Sequence, residues 1–349
     1  MAIRKPTITD VARTAGVSKG LVSFALNDKP GVSPETRKRI LEVAGDLGWR
    51  PSLSARSLST RTSFALGLVI RRKAEVISAD PFFPAFIAGV ESALTEEGRA
   101  LVLSVVPDAE AELRTYRTLA GDNRVDGVFL TDLRENDERF AVLADLGLPA
   151  VALGHPTGRD DMPFVQVDDT HGIASAVEHL VSLGHSRIAH VAGDPMMMHG
   201  GRRRSSFDEA MREAGLDPSL VIDTDFSASN GADATKRLLD NSHPPTAIVY
   251  ANDPMAIAGL GVAQQRGLRV PADLSITGFD GTDISGYVFP ALTTITSDPV
   301  EWGMVAARTL LELIGSGSAE SVELPPASLL IRASTGPAPS DSGHHAAHR

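Results

Sequence analysis

Lys19, Gly20, Ser23 and Phe24 fall on one side of a short helical segment, and between them they carry the means to read a base-pair edge. A lysine donates to guanine, a phenyl ring meets a thymine methyl, and a glycine lets the backbone come close. Thr9, Ser18, Ser23 and Asn27 add hydroxyl and amide groups suited to phosphate, which fix register without specifying sequence. Far downstream, the stretch DPFFP (80–84) ends the first strand-to-helix loop. Phe82 and Phe83 there serve either as core lining or as rings that stack on a sugar or base. Reaction chemistry has no comparable signature. The patterns GxxxxGK followed by Ser or Thr and HExxH are absent, and Gly259-Leu260-Gly261 lacks a third glycine and falls inside a helix. With no cysteine, disulfides and thiolate metal sites are excluded. No catalytic residue, no metal ligand and no cofactor is expected. The tail SDSGHHAAHR is either a weak nickel or zinc binder or a mobile polar terminus.

A specific scaffold must hold the first group. Thr7 with Asp10 is a capping pair, Val11, Ala12 and Ala15 follow at helical spacing, and Gly16 marks the stop. Ser18 caps a second helix, about Lys19 to Leu26, with Leu21, Val22, Ala25 and Leu26 to bury. Two short helices around a glycine-containing turn make a helix-turn-helix, whose second helix fits the major groove of DNA. Ser33-Pro34-Glu35 starts a third helix, and Ile40, Leu41, Ala44 and Leu47 are expected to close the core of this head. Arg37, Lys38 and Arg39 form either a solvated face or a backbone-contacting run.

Charge is placed accordingly. The 349-residue chain has a net charge of −11, yet residues 1–63 hold eleven basic against five acidic residues, leaving −17 for the rest. A basic head on an acidic body confines attraction for DNA to one end. The length and a 42% hydrophobic content give room for two or three domains. No long apolar run exists and MAIRKPTITD lacks the apolar core of a signal peptide, so the expectation is a soluble cytoplasmic protein with no membrane partner.

Residues 49–63, WRPSLSARSLSTRTS, read either as a plain linker or as a helix too short to stand alone in water. From Phe64 onward, short apolar runs at 64–70, 100–106, 127–130, 149–153, 187–193, 247–251 and 275–279 alternate with helical stretches. That pattern implies parallel sheets with ligands bound beyond the carboxyl ends of the strands.

The head and the stretches VDDTHGIASAVEHLVSLGHSRIAHVAGD (167–194), RRRSSFDEAM (202–211), YANDPMAIAGL (250–260), ITGFDGTD (276–283), PALTTI (290–295) and IRAST (331–335) resemble the lac and galactose repressor family, LacI/GalR. The resemblance covers roughly residues 6–335. It implies an all-α helix-turn-helix headpiece at 1–50, a hinge helix at 51–63, and a 64–335 core with the fold of type I periplasmic sugar-binding proteins. One parallel-sheet subdomain is expected at about 64–166 and 296–318, the other at about 167–291 and 321–335, with a disordered tail at 336–349. In the hinge, the resemblance makes Leu58 a minor-groove wedge and Ala55 the small residue that permits close approach, although Ser54 stands where an apolar residue is usual. In the core it marks Arg203, Asn252 and Asp280 as effector contacts, the register of Arg203 being ambiguous by one within Arg202-Arg203-Arg204. Where many relatives place an acid after the strand PAVAL, this chain has Gly154-His155, and His155 becomes a candidate donor to ligand.

The function implied is a homodimeric transcriptional regulator, a repressor, that binds double-stranded DNA at a palindromic operator under control of a small-molecule effector, a sugar or a sugar derivative. The alternative is a transporter's solute-binding protein, which would share the core but have no use for a basic head.

Overall fold

The computed structural model describes residues 6–26, 29–49, 62–159 and 161–339, and its contacts divide the chain into two units, 1–64 and 65–349. Asn27, the expected hinge contacts Ala55 and Leu58, and the tail from residue 340 lie outside the described residues.

In the first unit, capping groups delimit helices α1 (Ile8–Ala15), α2 (Lys19–Leu26) and α3 (Pro34–Asp46). The Asp10 carboxylate accepts from the Thr7 backbone N–H at 3.0 Å and from its hydroxyl at 2.7 Å, and Gly16 ends α1 at φ 66°. Ser18 Oγ accepts from the Leu21 N–H and Ser33 Oγ from the Thr36 N–H, each at 3.2 Å. Each bond satisfies a donor that a helix start would otherwise leave orphaned. Val11, Ala12, Ala15, Val22, Ala25, Ile40 and Ala44 form the buried core. Leu21 and Leu26 are half-buried, and Leu41, expected in the core, is exposed. Successive helical residues diverge by about 100°, and Ile40 holds the inward position.

The second unit contains two six-stranded sheets. The first has the order β11-β5-β4-β3-β1-β2, built from β1 (Ala65–Arg71), β2 (Ala100–Val106), β3 (Gly127–Leu130), β4 (Ala150–Leu153), β5 (Phe164–Val167) and β11 (Val322–Leu324). The second has the order β12-β10-β9-β8-β6-β7, built from β6 (Ile188–Ala192), β7 (Val221–Asp223), β8 (Ala247–Tyr250), β9 (Ser275–Asp280), β10 (Thr293–Thr296) and β12 (Ser328–Leu330). All pairings are parallel except β10 with β12.

Helices cover both faces of each sheet, which is why the central strands are buried along almost their whole length. On the first sheet, Leu66, Leu68 and Ile70 of β1 pack with α5 (Phe82–Glu96) and α12 (Pro299–Ser316). Ala65 and Val69 face α6 (Ala109–Gly121) and α7 (Arg139–Asp145) on the other side, and a short α4 (Ala74–Ala79) precedes α5. The second sheet lies between α8 (Thr170–Ser182) with α9 (Met198–Glu213) and α10 (Ala228–Leu239) with α11 (Asp253–Gln265).

Two expected boundaries move. Residues 321–324 belong to the first sheet, because Val322, Glu323 and Leu324 pair in parallel with Val165, Gln166 and Val167. Thr296 belongs to the second, where it pairs with Asp280. The chain therefore crosses between sheets after β5, between β10 and α12, and between β11 and β12. The short strands β5, β7, β10, β11 and β12 were not among the apolar runs read from sequence. No helix among the described residues is long and apolar enough to cross a membrane.

Candidate functional site

In the head, Val22 and Ala25 hold one side of α2 against the core and turn the other side outward. Ser18, Lys19, Gly20 and Phe24 are exposed there, Ser23 is half-buried, and Thr9 is exposed on α1. Phe24 keeps 44% of its surface in solvent, a costly placement for a phenyl ring, and its neighbour is the Lys29 ammonium at 6.0 Å. The face thus combines an apolar ring, a close-approach glycine and a cation, a set that suits a groove floor with phosphate walls.

In the second unit a cavity of about 510 Å³ lies between the sheets. Its lining residues follow strand ends, as ligand sites in open parallel sheets do. Arg72 follows β1, Asp132 follows β3 and Asp169 follows β5. Asn252 follows β8, Asp280 ends β9, and α9 supplies His199, Arg202 and Arg203.

The first sheet's contribution is an ion cluster. Arg72 donates from Nε and Nη2 to the two oxygens of Asp132 at 2.8 and 2.7 Å, and from Nη1 to Asp80 at 2.5 Å. Burial alone would raise the Asp132 carboxyl, but the charge and hydrogen bonds of Arg72 hold it well below the usual carboxylate range. At Asp80 burial wins over Arg72 and the carboxyl titrates above its ordinary value. Phe82 and Trp302 form an edge-to-face pair on the wall, ring centroids 5.4 Å apart, with Trp302 Nε1 donating to the Val165 carbonyl at 2.9 Å.

The second sheet supplies the rest. Arg203 stacks its guanidinium 3.5 Å from the Phe279 ring centroid, donates from Nη1 to the Ala251 carbonyl at 2.7 Å and from Nε to Asp169 at 3.3 Å. Asn252 is partly spent on structure. Its Oδ1 accepts from the Met255 N–H at 3.0 Å and its Nδ2 donates to the Phe226 carbonyl at 2.9 Å, leaving one amide hydrogen for a ligand. Asp280 sits at φ 110°, a strained value for a side-chain-bearing residue. Burial, with Asp253 nearby, raises its carboxyl well above the ordinary range. His199 is pushed down to about 3 by burial and by the Arg203 charge, and stays neutral.

The cavity brings together Phe82, Arg203, Asn252 and Asp280 from the sequence-derived set. Two others lie elsewhere. Phe83 is buried in the core under the first sheet, with Arg72 over its ring at 5.2 Å, because adjacent helical residues cannot both face the cavity. His155 is exposed outside the cavity lining and packs on Phe164 at 4.6 Å. Gly154, at φ 99°, turns the chain away before it. Arg202, left open as the neighbouring register of Arg203, lines the cavity beside it, whereas Arg72, Asp80, Asp132, Asp169, His199 and Trp302 were missed. The strand-end rule that singled out Asn252 and Asp280 would have found Arg72, Asp132 and Asp169.

Comparison with known proteins accounts for both units. The profile described as bacterial regulatory proteins, lacI family, matches residues 7–52, and that of a periplasmic binding protein-like domain matches residues 177–335. The chain is 34% identical over 325 residues to the HTH-type transcriptional regulator CelR of Thermobifida fusca, covering 92% of this chain and 95% of CelR. Among solved structures, a transcriptional regulator CelR–cellobiose complex aligns with a TM-score of 0.73 at 32% identity over 94% of this chain and 99% of that one. The lac repressor dimer bound to operator and the anti-inducer ONPF aligns with a TM-score of 0.82 at 29% identity over 95% and 100% of the two chains. With a capped helix-turn-helix head and a two-sheet core, the chain belongs to the lacI family of bacterial regulatory proteins and is a DNA-binding transcriptional regulator.

Proposed function

We propose that this regulator is a repressor that holds a palindromic operator as a homodimer, and that a sugar or sugar derivative bound in the cavity sets its operator affinity. The observation that carries the effector reading is the lining of the 510 Å³ cavity, in which forked donors, carboxyls and aromatic rings from both sheets converge. Such a wall suits a polyhydroxylated ligand, whose hydroxyls pair with the polar groups while its ring face lies on Phe82 or Trp302. Cellobiose in the CelR complex is a ligand of that kind. A ligand touching both sheets stabilises one separation of the subdomains over others, and the linking residues 51–63 carry that preference to the heads. Moving a population from 1:99 to 99:1 takes about 5.5 kcal/mol of differential affinity, so several cavity contacts must act together.

The test is a thermal-shift screen over sugars and polyols, followed by operator titration with each hit. A ligand at 100 times its dissociation constant adds about 2.7 kcal/mol to stability, a shift of several degrees. Any hit is expected to change operator affinity, and Arg203→Ala is expected to remove the shift. A hit that leaves operator affinity untouched counts against effector control.

Support for the dimer comes from the second sheet's loop after β9, where Tyr287 and Phe289 are 77% and 87% exposed with Ile284 beside them. Apolar side chains clustered in this way mark an association face. Sedimentation of the full chain is expected to give twice the 36.8 kDa chain mass, and Phe289→Asp with Tyr287→Asp to give the monomer. A wild-type monomer at operator-binding concentrations would remove the dimer.

A further inference from the structure

We propose that the effector carries a carboxylate, as a uronic or aldonic acid does, and that Arg202 receives it. The inference rests on the effector reading above and adds the charge of the ligand. Arg202 lines the cavity from α9 and donates from Nε to Asp169 Oδ1 at 3.1 Å. Among the described residues its two terminal amino groups make no hydrogen bond, although they carry four of its five donors.

Those groups face Gly154, where an added Cβ would stand 3.7 Å from Nη2 and 3.9 Å from Nη1. At φ 99° a side chain at position 154 is strained, so the chain itself puts no acid in front of the fork. Arg72, in the same cavity, has both edges of its guanidinium filled by carboxylates, Asp132 on one and Asp80 on the other. Arg202 has one edge filled and one open.

The charge count agrees. Arg72 is paired twice, whereas Arg202 and Arg203 share the single carboxylate of Asp169, at 3.1 and 3.3 Å. Counted by ion pairs, one guanidinium is in surplus at that end, while Asp80 and Asp280 act on Arg203 through space. A neutral hydroxyl accepts a hydrogen bond there but leaves the surplus, while a carboxylate accepts two parallel bonds and cancels it. A phosphate monoester brings close to two negative charges and overshoots beside Asp169.

Calorimetric titration of the full chain with matched pairs tests this: D-glucose with D-glucuronate, D-galactose with D-galacturonate, cellobiose with cellobionate, and glucose 6-phosphate as the dianion. In at least one pair the acid is expected to bind about tenfold or more tighter than its neutral partner, the range for a charge-assisted contact. Arg202→Leu is expected to remove that preference and Arg202→Lys to retain part of it, with melting curves confirming that both variants fold. Equal or tighter binding of the neutral sugar in every pair, a preference that survives Arg202→Leu, or tighter binding of glucose 6-phosphate than of any acid overturns the carboxylate while leaving the sugar effector standing. No binding by any of the seven compounds, with operator affinity unchanged, overturns both.

Discussion

Gly89→Ala is expected to lower the melting temperature of the core by about 6 °C or more. The reason is a helix crossing without room for a side chain. A Cβ at Gly89 of α5 would lie 1.9 Å from the Val300 carbonyl oxygen and 2.9 Å from the Met304 nitrogen, both backbone atoms of α12. The approach is reciprocal, since a Cβ at Gly303 of α12 would lie 2.1 Å from the Phe86 carbonyl oxygen of α5. A flexible side chain can swing away from a new methyl, but backbone cannot, so the helices must separate. Separation opens the cluster of Phe86, Val90, Leu94, Ala306, Ala307 and Leu310 and forfeits its contacts. Overpacking in cores costs about 1–3 kcal/mol, and this contact belongs at or above the upper end. The same displacement moves Phe82 and Trp302, so ligand binding should weaken in parallel. Gly121→Ala is the control. It lies at the end of α6 with nothing within 4 Å of its Cβ, and is expected to be neutral or slightly stabilising. A Gly89→Ala melting point within about 2 °C of the parent would show that α5 and α12 are free to part.

How far the sequence foretold this arrangement depended on whether a residue's role was local. The caps at Thr7, Ser18 and Ser33 need only neighbours three residues away, and all were legible. So were β1, β3 and β8, whose apolar runs exceed what an exposed segment carries. The missed strand β10 reads Thr293-Thr-Ile-Thr, and its hydroxyls look polar until their partners are known. Thr294 donates to the buried Asp253 at 2.6 Å and the Thr293 N–H to Ser334 at 2.8 Å, both bonds joining residues 41 apart in the chain. Strand β11 has three residues and takes its place from the path of the chain after α12, which no local pattern encodes.

The cavity divides in the same way. Asn252 and Asp280 were found because each directly follows an apolar run. Phe82 and Phe83 could not be separated from sequence, since the choice depends on how α5 is rotated about its axis. Position 154 was read as the place of a lost acid, with His155 its replacement. The structure instead sets a cation from α9, Arg202, opposite the glycine, 48 residues away in sequence.

Asp132→Asn should cost about 3 kcal/mol and loosen the cavity. It takes one carboxylate from a buried guanidinium while adding no backbone strain, because position 132 sits at φ 50°, which asparagine tolerates. Arg72 then keeps only Asp80, whose own carboxyl is already raised by burial. Removing one partner of a buried ion pair costs about 3–5 kcal/mol, and the remaining acid places this case at the lower end. A fall in melting temperature of about 5–10 °C is expected. Its dependence on pH identifies the cause. The folded Asp132 carboxyl titrates below its unfolded value of about 3.9, so its contribution is complete above that value and is lost as pH falls toward the folded pKa. The gap between wild type and Asp132→Asn should therefore be widest near pH 7 and narrow below about pH 4. Asp280 has the opposite sign. Its folded pKa is raised, so the native state loses stability as pH climbs above the unfolded value, and Asp280→Asn should raise the melting temperature at pH 7. Were the Asp132→Asn deficit constant from pH 7 to pH 3.5, lost packing rather than the ion pair with Arg72 would be its source, and the cavity floor would not owe its rigidity to charge.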